Sequence, residues 1–195
     1  MSRDANPKWL LLIHQLPAKP AYVRVKIWRR LQALGAVTVK NAVYALPASD
    51  DGREDFAWVA KEIEEAGGEA IVCEAALVEG LNDHELKGLF DAARDEDYAR
   101  IAEEARAVAA RLSGEASDSE LAEAATQTAR LRKQLDAVIA IDFFGSNGRL
   151  AAQGLVSGLE ESLKKEGDVQ ASDATPPVGA MNQRTWVTRE HVQVD

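Results

Sequence analysis

The chain has 195 residues, of which 46% are hydrophobic and 28% charged, with one cysteine, Cys73, and a formal net charge of −9. The length and apolar fraction exclude global disorder, and the lone cysteine excludes an intramolecular disulfide framework. The longest apolar run, Trp9–Ile13, is far shorter than the about 20 residues of a membrane-spanning helix, so no such helix is predicted. With no signal peptide evident, these features predict a soluble, cytoplasmic protein with no membrane contact.

The first 75 residues predict a compact α+β unit. Proline and glycine residues separate short apolar runs, typical of strands, from two amphipathic segments, typical of helices. The tight turn between the second and third strands is assigned to Lys40 and Asn41, because asparagine tolerates a positive φ. The predicted elements are a strand at Lys8–Gln15, a helix at Pro20–Leu34, strands at Ala36–Val39 and Ala42–Leu46, a helix at Asp50–Ala66 and a strand at Glu69–Ala75.

This order, βαββαβ, predicts a ferredoxin-like domain over residues 1–80, with an antiparallel sheet and two helices on one of its faces. The rest of the chain differs in composition. No proline occurs between Asp83 and Leu163, and alanine, glutamate, arginine and leucine dominate. We therefore predict an α-helical hairpin or bundle over residues 81–166, packed on the first domain.

Inside the helical region, an apolar stripe from Tyr98 to Leu112 predicts one helix, and Ser117 with Glu120 predicts a capping box at the start of the next. A seam from Leu121 to Val138, with spacings of three and four, resembles a coiled coil. A third helix is predicted at roughly Leu150–Lys165, a linker at 167–183, and at 184–195 the first strand of a truncated C-terminal domain.

The net charge hides a strong asymmetry along the chain. Residues 1–40 carry +7, residues 41–129 carry −15, and residues 130–195 carry −1. A whole-chain pI near 4.9 argues against nucleic acid, but a local basic surface permits it. The N-terminal segment is therefore the place where such a surface is expected.

The first helix and the loops beside it form this basic surface. If Ile27 is the centre of the buried face, Lys26 and Arg29 point away from it, and Arg24 and Arg30 flank it. Arginine and lysine beside aromatic rings favour contact with phosphates or another oxyanion. The alternative is a solvated helix face whose charges pair with acidic helices elsewhere. The candidate DNA- or oxyanion-binding residues are Lys19, Arg24, Lys26, Arg29, Arg30, Lys40 and Asn41, with His14, Tyr22 and Trp28 as accessory residues.

No catalytic or metal site is predicted elsewhere. His84 and His191 lack partners at metal-ligand spacing, and Cys73 is expected to be a buried strand residue. The glycines of Gly145–Gly148 do not follow a strand, so a phosphate-binding loop is not expected there. No cofactor is predicted, and the protein is not expected to be an enzyme.

Residues 9–47, WLLLIHQLPAKPAYVRVKIWRRLQALGAVTVKNAVYALP, resemble the start of the chromate-resistance regulator family called ChrB. DFFG at 142–145 and RTWVT at 184–188 fit the same family by their order and spacing. The first domain is also similar to the ferredoxin-like domain of PaaX-type repressors. The family resemblance covers the N-terminal domain and the first residues of the C-terminal one. In the family a short His-Val-Asp-like element usually follows RTWVT, whereas this chain has Gln193-Val194-Asp195.

The resemblance implies a transcriptional regulator of chromate resistance that responds to chromate. We therefore expect a homodimer that binds operator DNA through the basic first helix. Two other classes remain open. An enzyme that processes nucleic acid or handles chromate is one, although Ile13-His14-Gln15 offers no carboxylate at the end of the first strand. A protein-interaction module built on the Leu121–Val138 seam is the other.

Overall fold

The fold comes from a computed structural model that describes residues 8–112 and 117–173. It is an α+β structure in which a four-stranded antiparallel sheet with interspersed helices precedes three helices that pack together. The elements in chain order are β1 (Trp9–Gln15), α1 (Tyr22–Ala33), β2 (Val37–Lys40), β3 (Val43–Pro47), α2 (Asp50–Glu65), β4 (Glu69–Ala75), α3 (Asp83–Arg111), α4 (Asp118–Ala140) and α5 (Arg149–Asp173).

The sheet has the order β2-β3-β1-β4, and each neighbouring pair is antiparallel. β1 is central, so that Leu12 lies opposite Tyr44 of β3 and Val72 of β4. Because side chains alternate along a strand, His14 shares a face with Leu12. This alternation decides which side chains meet at the end of β1.

The predicted elements of the first 75 residues are confirmed, with boundaries that differ by at most two residues. Gly35 follows α1 with a φ of 73°, and Asn41 begins the β2–β3 turn with a φ of 47°. Both values lie in the left-handed region, which glycine adopts without strain and asparagine tolerates. The turn consists of Asn41 and Ala42, whereas Lys40, which was predicted to be part of it, is the last residue of β2. Ser49 caps α2, since its hydroxyl accepts a hydrogen bond from the Gly52 amide at 3.0 Å.

Helices α1 and α2 cover one face of the sheet. Their apolar residues pack against alternate residues of β1 and β3, and several of these side chains are completely buried. Burial of each such side chain contributes about 1.5–3 kcal/mol relative to its exposed state. The main residues of this core are Leu10, Leu12, Val23, Ile27, Leu31, Leu46, Phe56, Val59 and Ile63.

The opposite face of the sheet is also covered, by the first part of α3 and the loop after α4. The ring of Trp9 stacks on that of Phe90, with centroids 5.9 Å apart, and Phe144 packs against both rings. The Trp9 indole donates a hydrogen bond to Asp83 at 2.7 Å, which ties β1 to the start of α3. The periodicity of the sequence did not indicate this second layer.

Helices α3, α4 and α5 contact one another and share a second core. The predicted capping box of Ser117 and Glu120 is present at the start of α4. The Leu121–Val138 seam buries Ala124, Thr128, Leu131 and Leu135. The seam therefore packs within the chain.

A buried arginine lies where the two parts of the chain meet. Arg94 of α3 is 5% exposed, and its guanidinium pairs with Asp97 at 3.0 Å. A Cβ atom on Gly35, at the end of α1, would be 3.2 Å from Arg94 Nη1 and 2.7 Å from the Cβ of Ile141, the C-cap of α4. The ends of α1 and α4 thus meet beside Arg94, and helix C-termini favour a positive charge.

Two predictions need correction. α5 continues to Asp173, so the first seven residues of the predicted linker are helical, because the segment before Pro176 contains no proline to stop the helix. Cys73 is half-buried instead of buried, because β4 is an edge strand. The rest of the predicted linker, the predicted strand at 184–195, RTWVT and His191 lie outside the described residues.

Candidate functional site

The basic surface is organised by α1, which buries Val23, Ile27 and Leu31 against the sheet. Spacings of four keep these three residues on one helix face, and Pro20 precedes the helix in sequence. Every basic residue of α1 is therefore exposed. Arg30 in the last turn also interacts favourably with the helix dipole.

On one flank of α1, Arg24 lines a pocket of about 400 Å³, here called the hairpin pocket. The pocket lies between the end of β1, α1 and the β2–β3 turn, and it brings Arg24 together with Trp28, Asn41 and His14. These four residues are among the predicted candidates. The remaining lining residues are Gln15, Leu16, Ile27, Leu31, Ala42 and Tyr44.

On the other flank, α1 faces the acidic side chains of α2. Lys26 forms an ion pair with Glu62, whose hydrogen bond and charge raise the pKa of the Lys26 ammonium. Arg30 shares a shallow pocket with Trp58, Lys61 and Glu65. The alternative prediction of a charge-paired helix face thus describes Lys26, and its ammonium is less available to an external anion.

The other cations of the surface keep their charges available. Within residues 8–112 and 117–173, none of them forms an ion pair or hydrogen bond with another side chain, and all are exposed. They do not form one stripe, because Arg24 and Arg30 lie on opposite flanks and Arg29 points outward between them. These residues are Lys19, Arg24, Arg29, Arg30 and Lys40.

His14 lies on the helix-covered face of the sheet, at the end of β1. Its ring stacks on Tyr44, with centroids 5.6 Å apart and an interplanar angle of 16°. Burial lowers the pKa of the imidazole, because it disfavours the charged form of the ring. Its Nδ1 atom is buried and has no hydrogen-bond partner among the residues that the structure describes.

Two exposed tryptophans flank the surface. Trp28 on α1 and Trp58 on α2 are 52% and 53% exposed, and Tyr22 is exposed as well. Lys61 lies 5.3 Å from the centre of the Trp58 ring, a cation–π contact. Sequence reasoning missed Gln15, Tyr44 and Trp58. Period-two alternation on β3 places Tyr44 on the same face as His14, a signal present in the sequence.

The glycine-containing loop after α4 binds protein carboxylates with its backbone amides. Asp142 accepts from the amides of Gly145 and Ser146 at 3.0 Å and from the Tyr98 hydroxyl at 3.0 Å. Asp95 accepts from the Gly148 amide at 2.8 Å. The carboxylates of Asp142 and Asp95 occupy backbone amides that could otherwise bind a phosphate. The loop instead has a structural role, since it positions Phe143 and Phe144.

Burial opposes ionisation of Asp142, but hydrogen bonds from Ser146, Tyr98 and Gly145 outweigh it and lower the pKa of the carboxyl. Burial and the Asp142 contact raise the pKa of Tyr98. Within the described ranges, no group of three or more histidine, cysteine or acidic side chains is placed to hold a metal ion. No helix there is long and apolar enough to cross a bilayer.

Comparisons with known proteins match most of this chain. The family described as "Protein ChrB, N-terminal" matches residues 24–170, from α1 into α5. The chain is also similar to Protein ChrB of Cupriavidus metallidurans, with 26% identity in an alignment that is 197 residues long. The alignment covers 96% of this chain and 58% of that protein. The chain thus spans little more than half the length of that relative. No solved structure matches the chain significantly.

Proposed function

Because this chain belongs to the ChrB family through the family's N-terminal region, we propose that it is a transcriptional regulator of chromate resistance that binds operator DNA through α1. The observation that carries the proposal is the set of available cations on and beside α1. Arg24, Arg29 and Arg30 are exposed and form no ion pair with any described residue. Each cation that contacts a phosphate releases counterions, which makes DNA binding favourable and salt-dependent.

The acidic remainder of the chain supports the same proposal. Residues 41–129 carry −15, whereas residues 1–40 carry +7. DNA approaching through the acidic helices is repelled, so the basic surface orients the complex and non-specific binding through other surfaces stays low. Lys26 contributes less than its neighbours because Glu62 offsets its charge.

We also infer that β1–β4 with α1 and α2 form a ferredoxin-like module. The strand order β2-β3-β1-β4, the antiparallel pairing and the placement of both helices on one face support this assignment. The module presents the middle of α1 on its outer surface. A convex helix of this kind suits the major groove of a duplex, which admits an α-helix.

The test is a mobility-shift titration on the promoter upstream of the gene, at several salt concentrations. The double variant Arg29→Ala/Arg30→Ala removes two available cations, so affinity should fall and the slope of log K against log salt should flatten by about 2. Lys164→Ala/Lys165→Ala, which removes two exposed cations from α5, is the matched control and should leave both quantities unchanged. An unchanged salt slope in the α1 variant contradicts the proposal.

The response to chromate is tested with the same titration. Chromate is a tetrahedral dianion, and guanidinium groups bind such oxyanions with charge-assisted hydrogen bonds. We expect chromate, but not the same concentration of sulfate, to change the operator affinity of the protein. If the two anions had equal effects, the response would be explained by ionic screening alone, and chromate would be removed from the proposal.

A further inference from the structure

The hairpin pocket has a lining that phosphate contacts along α1 do not explain. Aromatic and aliphatic side chains form most of it: the Trp28 indole is half exposed at the rim, and the stacked rings of His14 and Tyr44 form part of the wall. Leu16 and Ile27 add aliphatic surface. An exposed indole beside a concave apolar wall favours a flat, apolar ligand.

Polar groups in the pocket are few and chemically distinct. Asn41 carries a carboxamide, which is both a hydrogen-bond donor and an acceptor, whereas alternation along β1 directs the Gln15 side chain to the opposite face from His14. Arg24 supplies one guanidinium that is free of ion pairs within the described chain. A carboxamide suits the mixed donor and acceptor edge of a heterocyclic base, and one guanidinium suits one phosphate group.

A bare oxyanion fits this lining poorly. Among the residues that the structure describes, Arg24 is the one charged side chain that lines the hairpin pocket, and burial lowers the pKa of the His14 imidazole, which disfavours a second positive charge. A volume of about 400 Å³ also falls in the range of pockets that enclose organic ligands, about 300–1,000 Å³. The pocket therefore offers a tetrahedral anion little beyond one charge and much apolar surface.

We propose that the hairpin pocket binds a nucleotide unit, with the base stacked on Trp28, its edge hydrogen-bonded by the carboxamide of Asn41, and its phosphate paired with Arg24. A free mononucleotide and an unpaired nucleotide of a single strand share this chemistry. The proposal does not depend on operator binding, because a duplex keeps its bases stacked and paired. It adds a base-binding site beside the cations that are proposed to contact the phosphates of the operator.

Isothermal titration calorimetry on the full chain tests this proposal. The titrants are the four 5′-mononucleotides, the matching nucleosides and inorganic phosphate. At least one mononucleotide should bind more tightly than both its nucleoside and inorganic phosphate. A single-stranded decamer and its duplex then distinguish the two sources of the ligand. If the single strand competes with the mononucleotide, the ligand is an unpaired nucleotide of a strand, and if it does not compete, the ligand is the free nucleotide.

Matched variants locate the site. Trp28→Ala should raise the nucleotide Kd about 10-fold, whereas Trp58→Ala, which removes an equally exposed tryptophan from α2, should leave it unchanged. Arg24→Ala should raise the nucleotide Kd to that of the nucleoside, and Lys61→Ala is the control for charge. Far-UV circular dichroism verifies that each variant keeps its helices.

Three results would overturn the proposal: no heat at millimolar nucleotide, inorganic phosphate binding as tightly as the nucleotide, or equal losses in the two tryptophan variants. Operator binding is measured on the same proteins. If Arg29→Ala/Arg30→Ala loses duplex binding but still binds nucleotides, both proposals are retained. Nucleotide binding without any duplex binding removes the operator proposal alone, and duplex binding without nucleotide binding removes the pocket proposal alone.

Discussion

Replacing Gly35 by alanine places a methyl group where α1, α3 and α4 converge. Gly35 has a φ of 73°, and the added Cβ would lie 2.7 Å from the Cβ of Ile141, 3.2 Å from its carbonyl oxygen and 3.2 Å from Arg94 Nη1. A carbon–carbon separation of 2.7 Å is well inside van der Waals contact. The methyl group can be accommodated only if the end of α4 moves away from the end of α1.

Two separate costs follow from this geometry. A left-handed backbone costs a residue with a Cβ about 1–2 kcal/mol, and overpacking a close contact costs a further ~1–3 kcal/mol. Gly67 provides the matched control, because it has a φ of 80° and nothing within 4 Å of an added Cβ. Gly67→Ala should therefore lower the free energy of unfolding by about 1–2 kcal/mol, and Gly35→Ala by roughly 2–5 kcal/mol.

Urea unfolding followed by circular dichroism at 222 nm measures both free energies by linear extrapolation. The difference between the two variants isolates the contact of Gly35 with Ile141 and Arg94, since the backbone strain is common to both. Equal losses in the two variants would refute the close approach of α1 and α4. Adding Ile141→Ala should recover little of the loss in Gly35→Ala, because alanine keeps the Cβ atom and the backbone carbonyl that the new methyl group meets.

Three further predictions concern the stability of the helical region. The folded-state pKa of Asp142 is lowered, so its contribution to the free energy of unfolding is present above the unfolded-state pKa of about 4 and is lost as the pH falls through the folded-state value. Asp142→Asn should therefore lower the free energy of unfolding at pH 7 by about 1–3 kcal/mol and make that free energy fall less steeply as the pH is lowered. If the variant lost stability in acid as steeply as the parent protein, the ionised Asp142 carboxylate would not be the cause. Thr128→Val should leave the free energy of unfolding unchanged or raise it by up to about 1 kcal/mol, because the buried Thr128 hydroxyl has no hydrogen-bond partner among the described residues; a loss above that size in urea unfolding would contradict this. Ser117→Ala should cost about 1 kcal/mol by removing the cap of α4, whereas Ser119→Ala in the same exposed turn should cost less, and thermal unfolding ranks the two.

The candidate site was only partly predictable. The burial of Val23, Ile27 and Leu31 follows from helical period, and it places Arg24 and Arg30 on opposite flanks of α1. The ion pair of Lys26 with Glu62 did not follow, because it depends on how close α1 and α2 pack, and residues 36 apart in sequence carry no local signal of their contact. For the same reason, the meeting of His14, Arg24 and Asn41 in one pocket required the folded sheet.

Local physical chemistry determined the elements of this protein. Strand and helix positions over residues 8–75, the turn at Asn41 and the capping box of Ser117 and Glu120 all follow from interactions among residues a few positions apart. The charge asymmetry that draws attention to α1 is likewise a property of the sequence alone.

Tertiary structure decided how those elements meet. The second layer on the sheet depends on Trp9, Phe90 and Phe144, which are far apart in the chain and combine only because α3 and the loop after α4 reach the same face. Tertiary packing also assigned the Leu121–Val138 seam to internal contacts and left Cys73 half-buried on an edge strand. It determined which cations of α1 form no ion pair with the described part of the chain. Side-chain period indicates that a face is apolar, but the partner that covers it is determined by the packing of the whole chain.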